Sequence, residues 1–275
     1  MKTRKIISLT LAVFICLALS VGLGAYERQF QIQINGTNLS ADVRATVSDG
    51  FLYVPLRAVC DALGSSGTDW NQNTRTATVY IRNIKITVTE GSSIIEANGR
   101  YFYNNACAKN IGGILHVPMA TISRIFTCEY YAADNGILYI GDNGGVCRPG
   151  SEVYRSDEVL WLARIIKAEA LGEPMRGKIA VGNTVLNRVR SSDFPNTIYG
   201  VIFDKKYGVQ FTPVANGTIY NTPDVNSVTA AKICLEGYSL SDEILYFVNP
   251  RLSPYSWASK NRPYAFMIGA HAFYK

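Results

Sequence analysis

The stretch from Gly141 to Gly150 reads Gly-Asp-Asn-Gly-Gly-Val-Cys-Arg-Pro-Gly, and it divides the chain more sharply than any other. Glycine and proline at that density end regular structure. Before it, apolar residues alternate or come in short runs. After it, they recur at helical spacing. A chain punctuated in this way is neither one continuous sheet nor one helical bundle. Residues 26–142 and 156–275 are therefore expected to be separate domains, with 143–155 as linker. The 275 residues are enough for two domains. A hydrophobic share of 48% and a charged share of 17% are ordinary for globular protein.

The first half reads as short strands with two brief helices. Gln31-Ile32-Gln33-Ile34 alternates, Asn35-Gly36 is a hairpin turn, and Phe51-Leu52-Tyr53-Val54 precedes a helix opened by Pro55 and stopped at Gly64. A strand follows at Thr76–Ile81. The order then returns: Ile114-Leu115-His116-Val117, a helix opened by Pro118, and a strand at Ile137-Leu138-Tyr139-Ile140. Two copies of a strand–helix–strand unit point to a duplicated α+β module. His116, matching Tyr53, reads as a structural strand residue.

Residues 1–25 have the layout of a secretory signal: basic Lys2, Arg4 and Lys5, the apolar run Ile6–Leu19, then small residues to Ala25. An uncleaved anchor is the competing reading, because Ile6–Leu23 is nearly long enough to span a membrane. With cleavage, no stable membrane association is expected. Those three bases supply half of the net charge of +6; residues 26–150 balance ten bases against ten acids, and residues 151–275 hold fourteen against eleven. No concentrated basic stripe results, and no nucleic-acid partner is expected. Cys60, Cys107, Cys128, Cys147 and Cys234 form no C-x-x-C pair, and with only His116 and His271 as histidines no metal site is expected. Any disulfide would fall among Cys107, Cys128 and Cys147.

In the second half, Ser156 with Asp157 and Glu158 starts a helix, and Gly172 with Pro174 stops it. Val159, Leu162, Ile166 and Ala170 mark its buried side. Glu169 falls in the last turn, near the negative end of the helix dipole and beside Ile165 and Ile166. Both effects favour its protonated form, as a general acid at neutral pH requires. From the helix alone, a solvated surface glutamate remains the competing reading. A second helix runs from Pro174 to about Val189, a loop system rich in Asn, Thr, Pro and Gly fills 191–226, and a third helix spans Val228–Glu236. Leu245–Val248 and Ala265–Ile268 are short extended pieces.

Two resemblances follow. Ile34-Asn35-Gly36, Tyr53-Val54-Pro55-Leu56-Arg57, Ala62-Leu63-Gly64, Asp69-Trp70-Asn71 and Val117-Pro118-Met119 resemble the module named for the N-terminal domain of copper amine oxidases. That resemblance covers residues 29–142 and implies anchoring or positioning on a wall polymer, without copper. Glu169-Ala170-Leu171-Gly172-Glu173-Pro174, Val185-Leu186-Asn187-Arg188-Val189, Gln210-Phe211-Thr212-Pro213, Tyr246-Phe247-Val248-Asn249-Pro250 and Ile268-Gly269-Ala270-His271-Ala272-Phe273-Tyr274 resemble cell-wall hydrolases of the spore-cortex-lytic type. This second resemblance covers about 157–275. It implies a mainly helical, lysozyme-like catalytic domain with no cofactor, cutting peptidoglycan glycan strands between N-acetylmuramic acid and N-acetylglucosamine. The substrate would be spore cortex or vegetative wall, and the setting the wall or spore envelope after secretion. It places the catalytic acid/base at Glu169. Glu173, Gln210, Phe211, Tyr246, Asn249 and His271 lie in the matching words and are taken as substrate-binding.

Water-delivering glycosidases usually need a second carboxylate. Asp193, Asp204 and Asp224 lie outside the matching words, which favours lytic transglycosylation giving 1,6-anhydromuramyl ends. The alternatives are a hydrolase with a second carboxylate and a non-catalytic wall or spore-coat binding protein.

Overall fold

The structure is a computed structural model describing residues 28–275 apart from 207 and 209, so the signal-like stretch 1–25 lies outside the described residues. The fold is α+β, with strands dominating the first half and helices the second. The first half runs β1 (Gln29–Ile34), β2 (Thr37–Asn38), β3 (Arg44–Ser48), β4 (Phe51–Pro55), α1 (Leu56–Ala62), β5 (Gly67–Asn71), β6 (Thr76–Ile81), β7 (Ile84–Thr89), β8 (Ile94–Ala97) and β9 (Arg100–Tyr103). It continues with β10 (Lys109–Ile111), β11 (Ile114–Pro118), α2 (Met119–Phe126), β12 (Glu129–Ala132) and β13 (Ile137–Gly141). The repeated unit is larger than the sequence suggests: hairpin β3–β4, helix α1 and hairpin β5–β6 correspond to β10–β11, α2 and β12–β13.

The two Val-Pro words meet in the middle of this arrangement. β4 and β11 pair antiparallel with Val54 opposite Val117, which makes one sheet of the order β10-β11-β4-β3-β1-β13-β12, with β2 on the flank of β1. A second sheet runs β5-β6-β7-β8-β9. Strand residues at alternate positions, such as Ile32, Val79, Ile86 and Ile95, join Leu56, Val59, Ile122 and Phe126 from the two helices in one apolar core. The five cysteines among the described residues are free thiols, so no pair among Cys107, Cys128 and Cys147 is bridged.

The stretch read as linker is strapped down. Asn98 Nδ2 donates to the Cys147 carbonyl at 2.8 Å, the Gly150 N–H donates to Asn98 O at 2.8 Å, and Arg82 reaches the Gly145 carbonyl at 2.9 Å. Within it Gly150–Val153 closes one helical turn, α3.

Beyond it lie α4 (Ser156–Ala170), α5 (Met175–Arg190), α6 (Ile198–Ile202), α7 (Thr212–Ala215), a 3₁₀ turn at Thr218–Tyr220, and α8 (Val225–Leu235). The last part holds β14 (Tyr246–Val248), α9 (Trp257–Asn261), β15 (Tyr264–Ile268) and β16 (His271–Tyr274), the strands ordered β14-β16-β15. α8 begins three residues earlier than its apolar pattern suggests, because Asp224 caps it: its carboxylate accepts from Ser227 N at 3.0 Å and Ser227 Oγ at 2.8 Å. Helices α4, α5 and α8 pack on one another around Ile166, Ile179, Val185, Ala230 and Cys234. Gly182 sits at the crossing, where a Cβ would stand 2.6 Å from Cys234 Sγ and 3.0 Å from Ile166 Cδ1.

Candidate active site

Glu169 occupies the final turn of α4, half-buried, where the helix must stop. The orphan carbonyls of that turn are met by a side chain: Lys178 Nζ donates to Ala170 O at 2.5 Å and to Leu171 O at 2.9 Å. This buried ammonium fixes the helix end that carries Glu169. Among the described residues nothing donates a hydrogen bond to the Glu169 carboxylate. Burial pushes its carboxyl up to about 7, and the Arg188 guanidinium opposes the shift. No carboxylate among the described residues contributes to it.

Arg188 was not singled out by residue pattern. It lies about one turn beyond Val185 and two beyond Val181 on the apolar face of α5, which is the signal that could have found it. Its Nε donates to Leu245 O at 2.7 Å, while Nη1 is buried with no hydrogen-bond partner. Its Cζ lies 5.0 Å from the ring centroid of Phe194, 5.2 Å from Phe211 and 5.4 Å from Tyr246. Burial in this aromatic box lowers its pKa to about 10, with Tyr246, Asp204 and Glu169 opposing. It remains a cation at neutral pH. Neighbouring polar groups of α5 hold the 238–245 segment in place: Asn183 Nδ2 donates to Tyr238 O, and Asn187 Nδ2 to Ser241 O and Ile244 O, each at 2.9 Å. That segment leads directly into β14 and Tyr246.

The remaining expected site residues separate into two groups. Tyr246 stands beside Arg188, with its ring centroid 5.4 Å from the guanidinium carbon. The others are engaged by the protein itself. Phe211 is only 3% exposed, its ring packed under Arg188 and against Phe247, so it offers no open face to a sugar. Gln210 Nε2 donates to Gly208 O within its own loop at 3.1 Å. Asn249 Oδ1 accepts from Arg251 N at 3.0 Å, closing a local turn. Glu173 accepts the Ala270 N–H at 3.2 Å on each oxygen, bracing the β15–β16 turn. His271 Nδ1 is 3.7 Å from Glu173, too long for a hydrogen bond, and its ring meets Phe247 edge-on. Burial holds its imidazole below the ordinary value, Glu173 opposing.

Of the further acids considered, Asp224 is committed to its helix cap, Asp193 is exposed, and Asp204 bears on Arg188. No group of three or more His, Cys, Asp or Glu among the described residues could hold a metal ion. No helix among them is long and apolar enough to cross a membrane.

Residues 172–274 match the family described as Cell Wall Hydrolase, and residues 33–140 match the Copper amine oxidase N-terminal domain. The first match opens three residues after Glu169, so the assignment of that residue rests on its surroundings. The spore cortex-lytic enzyme of Bacillus cereus is 37% identical over 122 residues, covering 44% of this chain and 46% of that protein. The chain thus spans about half the length of such curated relatives. The solved catalytic domain of the germination-specific lytic transglycosylase SleB from Bacillus anthracis is 36% identical, with 46% of this chain and 100% of that one covered, at a TM-score of 0.41. The cell wall hydrolase CwlJ of Oceanobacillus iheyensis is 31% identical over 127 residues, which are 42% of this chain and 85% of CwlJ. With a relative matched over nearly its whole length, the chain belongs to the cell wall hydrolase family.

Proposed function

We propose that this chain cleaves peptidoglycan glycan strands between N-acetylmuramic acid and N-acetylglucosamine, with Glu169 as acid and then base, by lytic transglycosylation. The observation that carries this reading is Glu169 itself: a carboxyl held near 7, with, among the described residues, no hydrogen-bond donor, the Arg188 guanidinium acting on its charge, and no carboxylate doing so. Protonated, it donates to the glycosidic oxygen as the bond to the muramyl C1 breaks. The resulting carboxylate, stabilised by Arg188, takes the proton from the muramyl C6 hydroxyl as that oxygen closes on C1. Protons balance, and no water enters. A hydroxyl held beside the reacting carbon outcompetes solvent through its effective concentration. The kinship with proteins named spore cortex-lytic enzymes supports cortex or wall peptidoglycan as the substrate.

A hydrolytic variant has one observation in its favour: Asp204 acts on the same arginine as Glu169. The first half, similar to a module of other proteins, would position the chain on its polymer, and residues 1–25 would export it.

Zymography on purified sacculi tests the enzyme reading. Glu169→Gln keeps the shape and loses the exchangeable proton, so clearing should fall by about 10² to 10⁴, while the variant still folds and sediments with sacculi. Undiminished clearing by Glu169→Gln would remove Glu169 from the mechanism.

A further inference from the structure

We infer that Tyr246, Trp257 and Arg262 form a subsite for a pyranose carrying a carboxylate, on the muramyl part of the glycan strand. The inference rests on the reading of Glu169 given above.

The first observation is charge. From Ile244 to Lys275 there is no Asp or Glu, while Arg251, Lys260, Arg262 and Lys275 are basic. Lys275 is spent on Glu243 at 2.5 Å; Arg251, Lys260 and Arg262 join no ion pair among the described residues. The segment therefore presents a local positive field to an anionic polymer.

The second is geometry. The Arg262 Cζ lies 4.8 Å from the Tyr246 ring centroid and 5.1 Å from that of Trp257, and the two rings meet edge-to-face at 5.6 Å. Arg262 Nη2 donates to Tyr246 Oη at 3.0 Å. Stacking and this one bond orient the guanidinium, and its remaining N–H donors form a flat fork suited to a carboxylate. Trp257 is 58% exposed and the neighbouring Tyr255 is 81% exposed. The exposed face of Trp257 is a flat apolar surface, and a pyranose presents a matching face of C–H groups. Trp257 is held in place, since it opens α9 behind the cap formed by Ser256 Oγ and Ser259 N at 3.1 Å.

The third is continuity. The Tyr246 ring that carries Arg262 is also one of the rings around Arg188. A sugar on Trp257 and Arg262 is therefore one side chain away from the group that acts on Glu169. The carboxylate has two sources in peptidoglycan, the lactyl group of muramic acid and the peptide stem attached to it.

The test uses the full chain carrying Glu169→Gln, so that ligand is bound and not cut, with tryptophan fluorescence as the readout. Three probes are titrated: neutral chito-oligosaccharide, glycan strands stripped to free lactyl groups, and strands bearing intact stems. One or both carboxylated probes should bind about two- to fivefold more tightly than the neutral one, the size of one exposed charge contact. The better of the two identifies the source. Arg262→Gln should abolish that preference, and Arg262→Lys should restore part of it. Trp257→Phe should remove most of the fluorescence change. Equal binding of all three probes by the parent, or a preference unchanged in Arg262→Gln, overturns the subsite. Either failure alongside normal cleavage of sacculi by the unmutated chain leaves the enzymatic reading standing. Selective binding without any cleavage overturns the enzymatic reading instead.

Discussion

At the scale of single residues, the proposed chemistry gathers on Glu169 and Arg188. A glutamate near 7 in the folded chain, against about 4.3 when unfolded, carries a stability signature. Between those values the folded state binds a proton that the unfolded state does not. The stabilising contribution is complete below about pH 4 and is lost as pH rises through 7. Glu169→Gln removes the cost of charging the carboxylate. We expect the variant to be more stable than the parent at pH 8 by at most about 3.5 kcal/mol, and to match it at pH 4, as read by urea denaturation at both values. Equal midpoints at pH 8 would mean that Glu169 is solvated. The position and the direction of the shift of this residue were legible in the sequence, because a helix start, an apolar face and a Gly/Pro stop together fix the last turn. Arg188 was not, because an arginine in a helix reads as surface until the nearby Phe194 ring and the more distant Phe211 and Tyr246 rings close around it.

At the scale of elements, the C-terminal hairpin shows how residues expected to bind substrate brace the site instead. Glu173 ends the α4–α5 turn and holds the Ala270 N–H, and the turn fits there because Gly269 has φ +56 and no Cβ to strike the Glu173 carboxylate. Gly269→Ala adds left-handed strain and displaces that carboxylate. We expect a loss of about 2 kcal/mol in stability from the strain and one hydrogen bond together, measured by urea denaturation, with a cost below about 0.5 kcal/mol showing that the brace is unimportant. Helices α4 and α5 were readable from periodicity to within a residue or two. β16 was not read as a strand, since its four residues are all buried and show no alternation. α8 was cut short because its capping aspartate looked like a spare carboxylate.

At the scale of the whole molecule, the Gly-rich division hid a contact that joins the two halves. Glu236, at the end of α8, has its side chain 1% exposed and receives Arg100 at 2.7 and 2.6 Å, Arg124 at 3.4 Å, and the Tyr154 hydroxyl. Tyr103 meets Tyr238 edge-on at 4.6 Å, and the Tyr238 hydroxyl donates to Asn105 at 2.5 Å. No local pattern reveals such a pairing, because its members are 82 to 136 positions apart in sequence. Glu236→Ala strands two guanidiniums that water reaches in part, so the cost should lie below that of a fully buried pair, at about 2 kcal/mol. The parent is expected to unfold in one calorimetric transition, which Glu236→Ala should lower or split into two. An unchanged transition would mean that the halves do not stabilise one another.

The product decides between the lone-acid mechanism and the others. Peptidoglycan digested to completion by the purified chain, without any other lytic enzyme, is analysed by mass spectrometry for its new glycan termini. If Glu169 works without a partner carboxylate, the main new ends are 1,6-anhydromuramyl, each lighter than a reducing end by one water. A digest dominated by reducible muramic acid ends would contradict the transglycosylase mechanism and turn attention to Asp204 as the group that positions water.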